Sequence, residues 1–122
     1  MNKDTAILLA DDDETVQEFG AMALSTLGRE VLLAVDGSQC LELVRERGAE
    51  IGLIVLDMMM PDMNGDEVLA SLRASGVSTP VLLCSGFEMT ESEVVANGAT
   101  AYLGKPYRMR ELTEACRTLL ER

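Results

Sequence analysis

The sequence predicts a doubly wound α/β domain, a five-stranded parallel sheet with helices on both faces. Two observations carry this reading. Apolar runs of strand length alternate with segments whose apolar residues recur at helical spacing, and alternation of that kind builds parallel sheets joined by helical crossovers. The connections are short, with no internal linker and no low-complexity tract. Successive elements therefore pack on one another as one unit, residues 1–122.

Thr5 to Ala10 is the first strand. Val16, Phe19, Ala23, Leu24 and Leu27 then recur at helical spacing, Thr15 and Glu18 stand at capping-box spacing, and Gly28 stops the pattern. Glu30 to Val35 contains the second strand. Asp36-Gly37 reads as a turn, and Leu41 and Val44 mark a second helix ending near Arg47. Ile51 to Leu56 is an unbroken apolar run, the pattern of a strand buried on both faces. Asn64-Gly65 introduces a helix carrying Val68, Leu69 and Leu72, and Pro80 to Ser85 is the fourth strand. Thr90 and Glu93 repeat the capping-box spacing before a short helix that Asn97-Gly98 closes. Thr100 to Leu103 is the fifth strand. The last helix carries Leu112, Cys116, Leu119 and Leu120 on one stripe.

Composition removes several classes of function. The chain has 122 residues, 48% of them hydrophobic, which suits one domain with one core. No apolar run approaches the ~20 residues of a membrane span, and Met1-Asn2-Lys3-Asp4 lacks a signal-peptide pattern. A soluble cytoplasmic protein is expected, with no membrane contact by this chain. Cys40, Cys84 and Cys116 are widely spaced and fit reduced thiols packed as small hydrophobes. The chain has no histidine, which excludes His-ligated zinc and His-based acid–base catalysis. A net charge of −11 opposes direct nucleic-acid binding and favours a divalent cation or a basic partner surface. Lys3 and Lys105 are the only lysines, so Lys105 is the single interior ammonium.

Polar residues collect where the predicted strands end. Asp11-Asp12-Asp13 follows the first strand, Asp57 the third and Lys105 the fifth, while Ser85 closes the fourth. Each alone has a plainer reading. An acidic run before a helix caps it, with Asp13 best placed to do so; Asp57 could cap, Ser85 be a strand-end hydroxyl, and Lys105 a solvated loop charge. A carboxylate at the end of a buried strand is costly without a partner, however, and strand carboxyl ends are where open α/β sheets bind ligands. If strands one, three, four and five lie side by side, these groups converge. Two acids of the run beside Asp57 then repel unless a cation neutralises them, and Mg²⁺ suits a few carboxylates, one backbone carbonyl and water. Acids, a central Asp, a hydroxyl and an ammonium are the parts of a phosphoryl-transfer site. Rival chemistries fail on residues. Ala10-Asp11-Asp12-Asp13-Glu14 has no glycine for a dinucleotide or P-loop turn, and G-x-S-x-G is absent. The haloacid-dehalogenase-like phosphatases need a second Asp two residues after the nucleophile, where this chain has Met59.

Four segments together resemble the receiver domain of two-component response regulators, over essentially the whole length. They are Ile7 to Glu14, Leu53 to Gly65 (Leu-Ile-Val-Leu-Asp-Met-Met-Met-Pro-Asp-Met-Asn-Gly), Pro80 to Gly86, and Tyr102-Leu103-Gly104-Lys105-Pro106. The resemblance implies a flavodoxin-like strand order 2-1-3-4-5. It implies that Asp57 accepts a phosphoryl group from the phosphohistidine of a histidine kinase or histidine phosphotransfer protein. Asp11 and Asp12 would hold Mg²⁺ near Asp57, with the Met59 backbone carbonyl as a further ligand. Lys105 would contact the phosphoryl group, and the Lys105-Pro106 bond would be cis. Ser85 would be the switch hydroxyl and Tyr102 the switch aromatic, which as a plainer alternative is a partly buried strand aromatic. Met59 and Phe87 would flank the path of the hydrolytic water. Both are apolar, so slow loss of the phosphoryl group is expected unless they merely pack. Such a domain is a signalling switch that catalyses its own phosphorylation and acts on a downstream protein, by resemblance through helix four, strand five and helix five, a surface that also suits homodimers. The segment Gly104 to Leu112 is similar to receivers attached to hybrid sensor histidine kinases, so Met1 need not be the native start. A receiver-like module that binds partners without phosphorylation is the alternative, and it has no need of the full set of site residues.

Overall fold

The structure, a computed structural model, describes residues 5–121. Lys3 and the rest of the segment 1–4 lie outside the described residues, as does residue 122. Five strands, β1 (Ala6–Ala10), β2 (Val31–Ala34), β3 (Ile51–Asp57), β4 (Val81–Ser85) and β5 (Ala101–Gly104), alternate with five helices. The helices are α1 (Glu14–Ser25), α2 (Gly37–Arg47), α3 (Gly65–Ala74), α4 (Glu91–Ala96) and α5 (Met109–Leu120). All strands pair in parallel, as the alternation of elements predicts, and in the order β2-β1-β3-β4-β5, as the resemblance implies. No helix among the described residues is long and apolar enough to cross a membrane.

The unbroken apolar runs are explained by two cores, one on each face of the sheet. Successive strand side chains point to opposite faces. Leu8, Ile54, Leu56, Val81 and Leu83 meet Cys40, Val44, Val68, Leu69 and Leu72 of α2 and α3. Ile7, Leu9, Leu53, Val55 and Leu82 meet Leu24 of α1 and Leu112, Cys116, Leu119 and Leu120 of α5. Each fully buried Leu, Ile or Val contributes about 1.5–3 kcal/mol. Cys40, Cys84 and Cys116 are buried and free, and burial pushes the Cys40 and Cys116 thiols up to about 12, which keeps them protonated and apolar.

Local predictions fail where a nearer group does the same job better. Thr15 does not cap α1. Asp13 does, accepting the Thr15 and Val16 N–H groups at 2.9 and 3.2 Å, so Thr15 falls within the first turn. The stripe Val16, Phe19, Ala23, Leu24 and Leu27 is borne out in part: Leu24 is fully buried and Leu27 packs against the same core, while Val16 and Ala23 are only partly buried. The buried face of α1 is Gln17, Gly20 and Leu24, and Phe19 is 53% exposed. The face is set by Gly20, whose missing Cβ would stand 2.7 Å from Leu9 Cδ2. Asp36-Gly37 is no separate turn: Asp36 caps α2, accepting the Gln39 N–H, and Gly37 is its first residue. A single 3-10 turn, Gly48–Glu50, joins α2 to β3. The Thr90/Glu93 box is present, each residue's side chain accepting the other's N–H at 3.2 and 3.0 Å.

The register brings the polar strand ends to one edge. β1 and β3 part after Ala10↔Leu56, β3 and β4 after Asp57↔Cys84, and β4 and β5 after Ser85↔Gly104. Asp11, Asp57, Ser85 and Lys105 therefore emerge side by side.

Candidate functional site

Asp57 is the last residue of the most central strand and is 5% exposed. Asp11, one residue past β1, is 2% exposed, while Asp12 is exposed. Carboxylate oxygens of Asp11, Asp12 and Asp57 all lie within 4.8 Å of one another. Three acids so close cannot all stay charged without positive charge between them. Lys105 supplies part of it. Its Nζ lies 3.0 Å from Asp11 Oδ2 and 3.0 Å from Asp57 Oδ1, bridging the two buried carboxylates. Asp11 is steadied further by the Asp13 N–H, which donates to Oδ1 at 2.9 Å, and Asp57 by the Met59 N–H.

The electrostatics follow from this packing. Burial raises the Asp57 pKa above the ordinary carboxylate value, and the Asp11 charge adds to the rise; the Lys105 hydrogen bond opposes it without cancelling it. Burial alone would lower the Lys105 pKa, but its hydrogen bonds to Asp57 and Asp11 outweigh that and leave it raised. The ammonium therefore stays charged and Asp57 is the strained partner. Among the described residues one cationic side chain, Lys105, pairs with this group of three acids, and the acids are all oxygen donors grouped within ion-binding range. That donor chemistry fits a small hard cation better than a softer metal.

Ser85 is 1% exposed; its Oγ accepts the Phe87 N–H at 3.0 Å, and its carbonyl accepts the Lys105 N–H at 2.8 Å. Ser85 thus ties the loop after β4 to the start of the Lys105 loop. The Lys105-Pro106 peptide is cis, as the resemblance implies. Tyr102 is half-buried on β5 and its hydroxyl donates to the Phe87 carbonyl at 2.8 Å. That hydroxyl lies over Gly104, where a Cβ would come within 3.1 Å of it. Met59 and Phe87 are 58% and 65% exposed, so neither packs into a core. Asp11, Asp12, Asp57 and Lys105 are thereby brought together, with Ser85 at the adjoining strand end and Tyr102 joined to it through Phe87.

Three supporting residues escape a reading of the sequence. Gly65, expected only as a helix start, is packed against the strand end: a Cβ there would lie 2.5 Å from the Asp57 carbonyl oxygen and 2.9 Å from Met58 Cα. Its N–H donates to the Met58 carbonyl at 2.7 Å. Asp62 reaches back to the start of α2, accepting the Gly37 and Ser38 N–H groups at 2.9 and 3.0 Å and the Ser38 hydroxyl at 2.6 Å. These bonds, the Ser38 hydroxyl first, lower its pKa to about 2. The Asp57–Gly65 loop is anchored at both ends as a result. Gln17 is the third. It is buried, and its amide donates to the carbonyls of Asp11 and Ala34 at 2.8 and 2.9 Å. The signal for Asp62 and Gly65 lay in the motif itself; Gln17 sits at a helical position with no pattern to distinguish it.

Comparison with known proteins agrees with this geometry. The profile of the family described as "Response regulator receiver domain" matches residues 7–117. The chain is 36% identical, over 95% of its length and 49% of the relative's, to the alkaline phosphatase synthesis transcriptional regulatory protein SphR of Synechococcus elongatus. It spans about half the length of the curated relatives it matches. Among solved structures, the receiver domain of Francisella response regulator 1452 superposes with a TM-score of 0.88 at 30% identity, covering 97% of this chain and 98% of that one. The BeF3-activated receiver domain of DrrB superposes with a TM-score of 0.81 at 26% identity, covering 98% and 99%. From the four strand-end groups, the strand order and these relatives together, the chain belongs to the response regulator receiver domain family.

Proposed function

We propose that residues 1–122 form one phosphoacceptor unit of a phosphorelay, with Asp57 as the acceptor. The observation that carries this is the Lys105 ammonium held between two buried carboxylates, 3.0 Å from each. Asp57 is the nucleophile. One of its oxygens attacks the phosphorus of a phosphohistidine; the O–P bond forms, the P–N bond breaks, and the imidazole nitrogen leaves with its electron pair. Lys105 turns from the carboxylates toward the incoming phosphoryl oxygens, where its charge is needed most. Ser85 has its Oγ lone pair engaged by the Phe87 N–H and keeps its own O–H to donate to a phosphoryl oxygen. Asp11 and Asp12, with Asp57 and the Met59 carbonyl, would hold Mg²⁺, which offsets the charge of the acids and of the phosphoryl group when bound.

The same contacts supply a switch. When Ser85 turns to the phosphoryl group it releases the Phe87 N–H, and Tyr102, bonded to the Phe87 carbonyl, follows the loop inward. The added charge of about −2 so shifts a two-state equilibrium of α4 and β5. The donor is a histidine kinase or histidine phosphotransfer protein, the reader a downstream protein on the α4–β5–α5 face, and the compartment the cytoplasm. The charge of −11 argues against nucleic acid as a direct partner.

Incubation with Mg²⁺ and acetyl phosphate, followed by intact mass measurement, tests the reading. A gain of one phosphoryl group that Asp57→Asn abolishes is expected. Absence of any gain from acetyl phosphate or a phosphorylated histidine donor would leave only a partner-binding module.

A further inference from the structure

Gln17 is a buried polar side chain for which the reaction above has no use. It is 9% exposed and lies in the first turns of α1. Its Nε2 donates to the Asp11 carbonyl at 2.8 Å and to the Ala34 carbonyl at 2.9 Å. The Asp11 N–H donates to the same Ala34 oxygen at 3.1 Å. Both amide hydrogens of Gln17 are thus spent just where β1 and β2 stop pairing.

The Asp11 carbonyl belongs to the peptide joining Asp11 to Asp12. Because the peptide is planar, fixing that oxygen fixes the peptide plane and with it the position of the Asp12 Cα, the point from which the side chain leaves the backbone. The other two acids are held by their carboxylates: Asp11 by Asp13 and Lys105, Asp57 by Lys105. The Asp12 carboxylate is exposed and takes no hydrogen bond or ion pair from another described residue. Its place in the acidic group is set through its backbone.

We infer that Gln17 is a positioning residue for the cation site, aiming the Asp12 carboxylate at Asp11 and Asp57 through the Asp11–Asp12 peptide. The inference rests on the reading of Asp11 and Asp12 as cation ligands. A Gln17 that merely satisfied two buried carbonyls would support stability without touching cation affinity, so the two roles separate by measurement.

Gln17→Met keeps the length and removes both donors. Its Mg²⁺ Kd, from calorimetry or amide-shift titration, is compared with those of the wild-type protein and Asp12→Asn, and its Tm is taken in EDTA. The expected Kd is about ten-fold weaker, the lower end of what losing a ligand-orienting partner costs. Phosphorylation by acetyl phosphate should then need a correspondingly higher Mg²⁺ concentration to reach half its maximal rate. A folded Gln17→Met with unchanged Kd overturns the inference, whatever its Tm in EDTA. If Asp12→Asn also leaves the Kd unchanged, the cation-ligand reading itself fails. Should Gln17→Met not fold, the wild-type protein decides: the Gln17 side-chain amide protons must shift along a Mg²⁺ titration with the midpoint of the Asp12 amide, and protons that stay still overturn the proposal.

Discussion

At the scale of single residues, Asp57 is held at a cost. Its raised pKa means that the folded chain binds that proton more tightly than the unfolded chain does. Between the two pKa values the native state therefore carries more protons, and stability falls as pH rises through that window. Above it the penalty is fully present. Asp57→Asn removes the penalty while keeping an acceptor for Lys105. The variant should be more stable in EDTA at pH 7, seen as a Tm higher by a few degrees. The advantage should shrink as pH falls through the carboxylate range; thermal melts at several pH values read it directly, and an equal or lower Tm at pH 7 contradicts the account. A second residue bears on time rather than stability. Met59 is exposed beside the acceptor and has no group to orient water. Met59→Asn adds one hydrogen bond to an attacking water, and 1.4 kcal/mol of that bond in the transition state is about ten-fold in rate. Decay of the phosphorylated protein, followed by intact mass after removal of acetyl phosphate, should quicken accordingly. Unchanged decay would mean that Met59 does not border the water's path.

At the scale of elements, the site depends on how closely α3 approaches β3. Gly65→Ala puts a Cβ 2.5 Å from the Asp57 carbonyl, and the atom it meets is backbone, which cannot swing aside. The helix start must move, and with it the loop that Asp62 anchors to α2. Overpacking of this kind costs about 1–3 kcal/mol. We expect that loss in denaturant midpoint together with slower phosphorylation by acetyl phosphate; a variant with wild-type midpoint and rate would show that the contact is relieved cheaply. This contact also marks the boundary of what the sequence makes legible. Strand runs such as Ile51–Leu56 and stripes such as Leu112–Cys116–Leu119 could be read because burial leaves a period in the residue types. Strand ends could be read because polar residues interrupt those runs. The core face of α1 could be read only in part, through Leu24, since a glycine and a buried glutamine complete it while Phe19 lies outside. Its orientation is decided by the space under Leu9, a tertiary fact. Asp13 caps α1, as the acidic run before the helix suggests, and the capping-box spacing of Thr15 and Glu18 misleads because the turn after β1 brings the Asp13 carboxylate to the N–H groups first.

At the scale of the whole molecule, a charge of −11 on 122 residues makes every added cation stabilising to some degree. Self-repulsion destabilises the compact state, and salt screens it over a Debye length of about 10 Å at 0.1 M. A rise in Tm on adding Mg²⁺ is therefore ambiguous unless general screening is separated from binding at the acidic group. The separation comes from comparing Mg²⁺ with NaCl at equal ionic strength, against an EDTA baseline. NaCl should raise Tm smoothly, in wild type and Asp12→Asn alike, because screening does not depend on one carboxylate. Mg²⁺ should add a further increment in the wild type that saturates with concentration, reaching ~2.7 kcal/mol at a hundred times its Kd. Asp12→Asn should lose most of that increment and keep the NaCl response. The exposed Asp12 suits this test better than Asp11, whose carboxylate also holds Lys105 and the Asp13 N–H and whose loss would disturb the fold in EDTA. An increment of equal size in both proteins would mean that Mg²⁺ acts on the acidic surface as a whole, and that the three clustered carboxylates are not its site.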